Sequence, residues 1–464
     1  MGGGVRRVTL AVRVVAAMLL AASTLVWVSG SQVGAWSSDD RAVAVFGGTG
    51  NDYGRSVAVD SSGNVYTTGY FEGTADFNPG DGTEELTSNG DDDVFVSKLD
   101  SSGALVWAKS FGGTGTDIAY SVAVDSSGNV YTTGYFEGTV DFNPGDGTEE
   151  LTSNGGNDVF VSKLDSSGNY LWTGNLGGTA SDYGRSVAVD SSGNVYTTGN
   201  FSSTADFNPD PGESADLVVS GGKAFISKLN SSGIYVWATN FGGTGDSGGG
   251  GVGYSVAVDS SGNVYTTGKF RSGGNFGTTI LSSEGSDDVF VSKWDSSGDN
   301  VWAKRVGADV PTSSFYSSDY GYSVAVDSSG NVYTTGRFNA VADFNPDPDE
   351  TANFNGGGNG DAFVWKLNSS GAYVWAKNLG SGRTEEGHSV AVDSSGNVYT
   401  TGFSNGLNTF DFDPGSGTAN LTSNGGKDVF VSKLDSSGNL APAGGSAGLT
   451  VTVTGGSPSA SEAG

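Results

Sequence analysis

Val59-Asp60-Ser61-Ser62-Gly63-Asn64-Val65-Tyr66-Thr67-Thr68-Gly69 returns letter for letter, with its aspartate at Asp125, Asp190, Asp259, Asp327 and Asp393. The intervals are 65, 65, 69, 68 and 66 residues. A stretch repeated at a near-fixed period marks a unit that stacks on its neighbours, so the 464 residues read as one array of six units.

About 40 residues further on, each unit carries a second turn of the form Asp/Asn-Ser-Ser-Gly, beginning at Asp100, Asp165, Asn230, Asp295, Asn368 and Asp435. Asp and Asn can accept hydrogen bonds from backbone amides two residues on, and Gly63 or Gly103 can take the positive φ of a turn exit. The flanking runs alternate or are rich in β-branched and aromatic residues: Ser-Val-Ala-Val, Asn-Val-Tyr-Thr-Thr, Asp-Val-Phe-Val-Ser-Lys-Leu and Leu-Val-Trp-Ala-Lys-Ser-Phe. These are four strands, A to D. Four antiparallel strands repeated without helical signals predict an all-β, six-bladed β-propeller of four-stranded blades, with a linear solenoid as the alternative.

The ends favour the ring. The sixth copy stops after Ser437-Gly438 without a strand D, and Arg41-Ala42-Val43-Ala44-Val45-Phe46-Gly47 before the first copy matches the missing strand. An N-terminal closing strand over 41–47 would complete the last blade and remove exposed sheet edges. The expected organisation is an export signal over 1–35, a propeller over 36–440 and a flexible tail over 441–464. The repeats fall near 55–119, 120–184, 185–253, 254–321, 322–387 and 388–440.

Composition agrees. Glycine numbers 78 and methionine two, which leaves little material for helices. Zero cysteines exclude disulfides, thiol catalysis and Cys-ligated zinc. Arg6, Arg7 and Arg13 precede an apolar run from Val14 to Val28, which is shorter than a membrane-spanning helix and reads as a cleaved secretory signal. The net charge of −29 predicts no nucleic-acid partner and no attraction to anionic lipid; the signal predicts a secreted or cell-surface protein with no membrane insertion after signal removal, expected as a monomer. Solvated carboxylates that serve solubility or a salty medium account for the same acidity.

Written out, the repeat resembles the SBBP family of bacterial β-propeller repeats across residues 41–438, through Asp-Val-Phe-Val-Ser-Lys-Leu-Asp, Trp-Ala-Lys, Phe-Gly-Gly-Thr-Gly and Val-Asp-Ser-Ser-Gly-Asn-Val-Tyr-Thr-Thr-Gly. The family name implies seven blades; this sequence supplies six. The resemblance implies a secreted or cell-surface module and carries over no active site.

With strand A innermost, as in the propellers these turns resemble, both Ser-Ser-Gly hairpins share one rim. The B–C and D–A loops are expected on the other, where the copies differ. The residue entering strand A is Arg55, Tyr120, Arg185, Tyr254, Tyr322 and His388 in turn, a set suited to ringing a channel mouth and holding a sugar or an extended peptide. The competing reading is that these side chains only plug the channel and pair with nearby acids. The loop before the sixth copy adds Arg383, Glu385 and Glu386.

Five B–C loops read Asp-Phe-Asn/Asp-Pro, pairing Asp76 with Asn78, Asp141 with Asn143, Asp206 with Asn208, Asp343 with Asn345 and Asp411 with Asp413; the fifth copy adds Asp347 and Asp349. Calcium is the cation such oxygen ligands would hold, and a plain Asx turn explains the same pattern. No other cofactor is implied. His388 is the only histidine, and the local Gly-x-Ser-x-Ala sequence, Gly387-His388-Ser389-Val390-Ala391, lacks the final Gly of a nucleophile elbow, so a serine hydrolase is not expected. Trp107, Trp172, Trp237, Trp302 and Trp375 recur on strand D as packing between blades. The leading expectation is a non-catalytic binding or adhesion scaffold for an extracellular glycan or protein, working through the B–C and D–A rim. The alternatives are a carbohydrate-active enzyme using rim carboxylates and a purely structural extracellular repeat protein.

Overall fold

The computed structural model describes residues 44–243, 250–307, 318–357, 359–380, 384–406, 409–415, 417–422 and 425–441. Every element in them is a β-strand and every pairing is antiparallel. In the second unit the strands are A (Ile118–Val124), B (Val130–Phe136), C (Asp158–Leu164) and D (Tyr170–Gly178), each bonded to the next in that order. The fifth unit repeats this as an isolated four-stranded sheet, whereas the sixth has three strands.

The repeated phrase folds as its side chains dictate. Asp60 accepts from the Ser62 and Asn64 amides at 2.9 Å through Oδ1, and from Asn64 Nδ2 and Tyr66 Oη through Oδ2. Gly63 closes the turn at φ 82°. One carboxylate thus satisfies turn amides beyond the two backbone bonds, Asp60 to Asn64 and Gly63 to Asp60, that close the hairpin.

Consecutive units join in the same way each time. The Ser56 hydroxyl at the start of strand A accepts the Val122 amide of the next strand A, and Ser121–Val187, Ser186–Val256, Ser255–Val324 and Ser323–Val390 repeat the bond. At the hairpin end, Trp107 Nε1 and Lys98 Nζ both donate to the Ser166 carbonyl of the following unit. The other four tryptophans make the same bond one unit on, which bears out packing between units. Between these ends lie buried clusters shared by two units, such as Val94, Val96 and Phe111 against Val122, Phe136 and Phe142.

The B–C excursions depart from the expected placement. Strand B runs on past the sheet, and Asp206 and Ala205 pair with Gly177 and Gly178, the end of the preceding strand D. From there the chain doubles back along that strand, bringing Pro209 against Gly174. In the fifth unit Asn345 to Glu350 lie beside Ser370 to Tyr373 of the C–D hairpin. The loop tips therefore leave the D–A rim. The buried wedge is the Phe of Asp-Phe-Asn-Pro: Phe77, Phe142, Phe207, Phe344 and Phe412 all enter the core, and burying each ring holds the excursion down.

The two ends of the array differ from its interior. Val59 is 43% exposed, while its counterparts Val124, Val189, Val258 and Val326 are buried. On the last strand C, Val429 and Val431 are 45% and 53% exposed, against 0% for Val94 and Val96. Of the expected closing strand, residues 41–43 lie outside the described residues. Gly47 and Gly48 pair with Asp76 and Ala75 as the ends of strand D do elsewhere.

Candidate functional site

Each strand A carries a bulge at one position. Gly54 pairs with Gly69 and Ser56 with Thr68, leaving Arg55 as the extra residue. The shift recurs at Ala119/Ser121, Gly184/Ser186, Gly253/Ser255, Gly321/Ser323 and Gly387/Ser389. The residues so displaced are Tyr120, Arg185, Tyr254, Tyr322 and His388. A bulge re-aims the side chain it carries, so one backbone device presents six side chains of three chemical types in sequence.

Room for it comes from the glycine ending each Tyr-Thr-Thr-Gly. A Cβ on Gly69 would stand 1.8 Å from the Tyr53 carbonyl, and Gly134, Gly199, Gly268, Gly336 and Gly402 are equally crowded by strand A. These glycines are fixed by close approach of two strands and not by a turn.

The displaced side chains meet in series. The Arg55 guanidinium lies 5.2 Å from the Tyr70 ring and 5.8 Å from Tyr120, and donates to Tyr70 Oη at 2.9 Å. Arg185 lies 4.7 Å from Tyr120 and 5.1 Å from Tyr183. Tyr254 packs on Tyr322 at 5.7 Å, and Tyr322 stacks on His388 at 4.9 Å. Cations over aromatic faces attract through the ring quadrupole. All six displaced residues are half-buried, so the surface they make is open to solvent on one side.

A second tier consists of residues that, Glu386 apart, were not singled out in the sequence. Tyr70, Tyr135, Asn200, Lys269, Arg337 and Phe403 follow the invariant Thr-Thr-Gly, and Tyr53, Tyr183, Tyr320 and Glu386 stand two places before the bulge residue. Their signal was variation inside an otherwise invariant frame. Lys269 sits over Tyr320 at 5.1 Å and pairs with Asp287 at 3.1 Å. Burial raises the Tyr322 hydroxyl and that of Tyr135 above the ordinary phenol range, keeping both neutral.

The acids of the sixth unit part company. Glu386 joins the ring, accepting from Arg337 Nη1 at 2.9 Å and lying 3.1 Å from His388 Nε2. Burial works to raise its pKa, but the bonds from His388 and Arg337 outweigh it and leave the carboxyl below its ordinary value. Glu385 is fully buried and points the other way, against Gly380 and Asp361, which corrects its expected place on the rim. The alternation of strand A sends neighbouring residues to opposite faces. Arg383 lies outside the described residues.

In the Asp-Phe-Asn-Pro loops, Asp76 Oδ1 accepts the Asn78 and Glu84 amides at 3.0 and 2.9 Å, and Asn78 Oδ1 accepts the Gly80 amide. Asp141 and Asn143, Asp206 and Asn208, Asp343 and Asn345, and Asp411 and Asp413 form the same double Asx turn. Asp347 caps the Asp349 amide in addition. One carboxylate oxygen per loop is thus occupied by backbone, and no group of three acidic or imidazole ligands converges among the described residues.

A protein from Acanthamoeba polyphaga mimivirus, described as an uncharacterized WD repeat-containing protein, is 24% identical over 417 residues, which cover 76% of this chain and 29% of that protein. The chain thus spans under a third of that relative. Among solved structures, an ulvan lyase of a polysaccharide lyase family matches at a TM-score of 0.41 with 11% identity, covering 78% of this chain and 81% of the other. A Bacteroides caccae protein of unknown function matches at 0.33 with 10% identity, covering 75% and 88%. The family described as SBBP, beta-propeller repeat, matches residues 45–70, 106–135, 171–208, 301–344 and 374–411. These five segments are where the chain matches the SBBP beta-propeller repeat.

Proposed function

We propose that the chain is a secreted or surface-displayed six-bladed propeller that binds, without catalysis, an extended ligand bearing carboxylate groups, such as an acidic glycan, at the ring of bulge residues. The observation that carries this is the pairing of Arg55 and Arg185 with tyrosine faces instead of acids. Arg185 is in no ion pair among the described residues, although acidic residues outnumber basic ones 51 to 22. A guanidinium held on an aromatic face keeps its fork free for a ligand carboxylate, and tyrosine faces suit the apolar side of a sugar ring.

Ring closure is part of the same reading. Leu440 bridges to Leu434 where strand D begins in other units, and Arg41 corresponds by count to the next position of that strand. Residues 41–46 would continue what Leu440 starts, covering Val429 and Val431, and would bring Val59 against the sixth unit. The binding reading is favoured over a carbohydrate-active enzyme because Glu386 is held ionised by two partners, while Glu385 is buried away from the ring.

The test is titration of the purified protein with polygalacturonate and with neutral dextran, read by calorimetry. Binding of the acidic polymer alone, weakened at least tenfold in Arg55→Ala/Arg185→Ala, supports the proposal. Equal binding of both polymers, or none, overturns it.

A further inference from the structure

Where one unit meets the next, two acids are buried together around a Gly-Gly pair, and neither belongs to the ring. At the first junction Asp93 is 1% exposed, takes the Asn89 amide on Oδ2, and has no hydrogen-bond partner for Oδ1. That oxygen faces Gly112, where an added Cβ would lie 2.4 Å from it. Asp117, also 1% exposed, holds the Gly113 and Glu137 amides. Burial raises Asp93 to about 7 and Asp117 to about 6, with Asp117 adding repulsion to Asp93. The second junction repeats the arrangement with Asp158 on the Asn154 amide and Asp182 on the Gly178 and Ser202 amides. Asn175 stands beside Asp158 there.

The third and fourth junctions contain their own cation. At the third, Lys223 replaces the first acid and Gly251 the second, and Lys223 Nζ donates at 3.0 Å to the Gly242 carbonyl, the equivalent of Gly112. At the fourth, Asp288 and Asp319 are kept, and Arg305 pairs with Asp288 at 2.8 Å. Within one chain, therefore, loss of the acid pair coincides with gain of a lysine on the same carbonyl, and one retained pair has gained an arginine.

We propose that the first two junctions each bind a calcium ion, through Asp93 and Asp117 with the Gly112 carbonyl, and through Asp158 and Asp182 with the Gly177 carbonyl. All the donors are oxygens, which selects a hard divalent cation, and water completes the shell. The ion would tie strand C of one unit to the entry of strand A of the next, at the place where the third junction holds the Lys223 ammonium on the Gly242 carbonyl.

The test is equilibrium dialysis of the EDTA-stripped, desalted full chain against calcium chloride, with bound calcium counted by atomic emission. At least two ions per chain are expected, with Asp93→Asn and Asp158→Asn each removing one. Asp93→Lys combined with Asp117→Gly, which transplants the third junction onto the first, should remove one ion and make melting less dependent on calcium. Asp117→Asn serves the same purpose if the double variant does not fold. Uptake of no calcium overturns the proposal and leaves a proton on Asp93. A count unchanged by Asp93→Asn and Asp158→Asn but lowered by Asp76→Ala also overturns it, placing the ion in the Asp-Phe-Asn-Pro loops.

Discussion

Tyr322 and His388 stack with ring centroids 4.9 Å apart and planes 3° from parallel, although they belong to different units and lie 66 residues apart. Both are bulge residues, so the contact exists because two strands A carry the same irregularity at the same height. Tyr320 extends the stack, lying 5.8 Å from Tyr322.

Removing the imidazole should therefore loosen the junction of the fifth and sixth units. His388→Ala is expected to cost about 1 kcal/mol, the usual worth of an aromatic pair beyond its area. His388→Phe should recover most of that in urea unfolding while leaving Glu386 with Arg337 as its remaining partner.

Glu386→Ala strands a partly buried Arg337 and should destabilise by about 1–3 kcal/mol. Because the Glu386 pKa is lowered in the fold, its contribution is present above the ordinary carboxyl range and lost as pH falls through the folded value. The stability advantage of wild type over Glu386→Gln should be full at neutral pH and shrink toward the acid end.

Asp93 and Asp182, raised to about 7, and Asp117, raised to about 6, act with the opposite sign. Between the unfolded value of 3.8 and these folded values the native chain binds more protons than the unfolded one, so stability falls as pH rises through that window. In EDTA the melting temperature should drop from pH 4.5 to pH 7.5. Asp93→Asn should flatten part of that slope, by on the order of 2 kcal/mol.

Gly69→Ala should be severe, since the new methyl would meet the Tyr53 carbonyl at 1.8 Å; a loss above about 2 kcal/mol is expected from forcing strands A and B apart. Gly73→Ala is the control. Its φ of 75° strains an alanine, yet nothing lies within 4 Å, so about 1 kcal/mol is expected. Thermal melts of the two variants distinguish crowding from backbone strain.

If residues 41–46 supply the last strand D, deleting 36–46 should lower the melting temperature by several degrees and leave an unpaired edge at the sixth unit. Light scattering should then detect self-association, whereas unchanged melting and mass would show that closure does not use this segment.

Much of the fold was legible because its causes are local. Asp60, Gly63 and Tyr66 satisfy one another within seven residues, and alternation such as Asp-Val-Phe-Val-Ser-Lys-Leu needs only a core on each side. The bulge residues Arg55, Tyr120, Arg185, Tyr254, Tyr322 and His388 were visible as variation at one site of a constant frame. Tyr70 and Lys269 were overlooked although they vary in the same way, because their position reads as ordinary strand B. The path of the B–C loops was misread because their direction is decided by Phe77 and its counterparts finding a core between two units, a contact no single repeat contains.

The sequence by itself determined the unit, its four strands, its number of copies and the chemical identity of each bulge residue, all of which follow from short-range patterning. Tertiary structure decided which faces met. It sent Glu386 toward Arg337 and His388 and Glu385 into the junction with Asp361, and it folded the acidic loops back along the preceding strand D. The physical reason is that these choices depend on burial and electrostatics between units some 65 residues apart, where the partner supplies half of each environment.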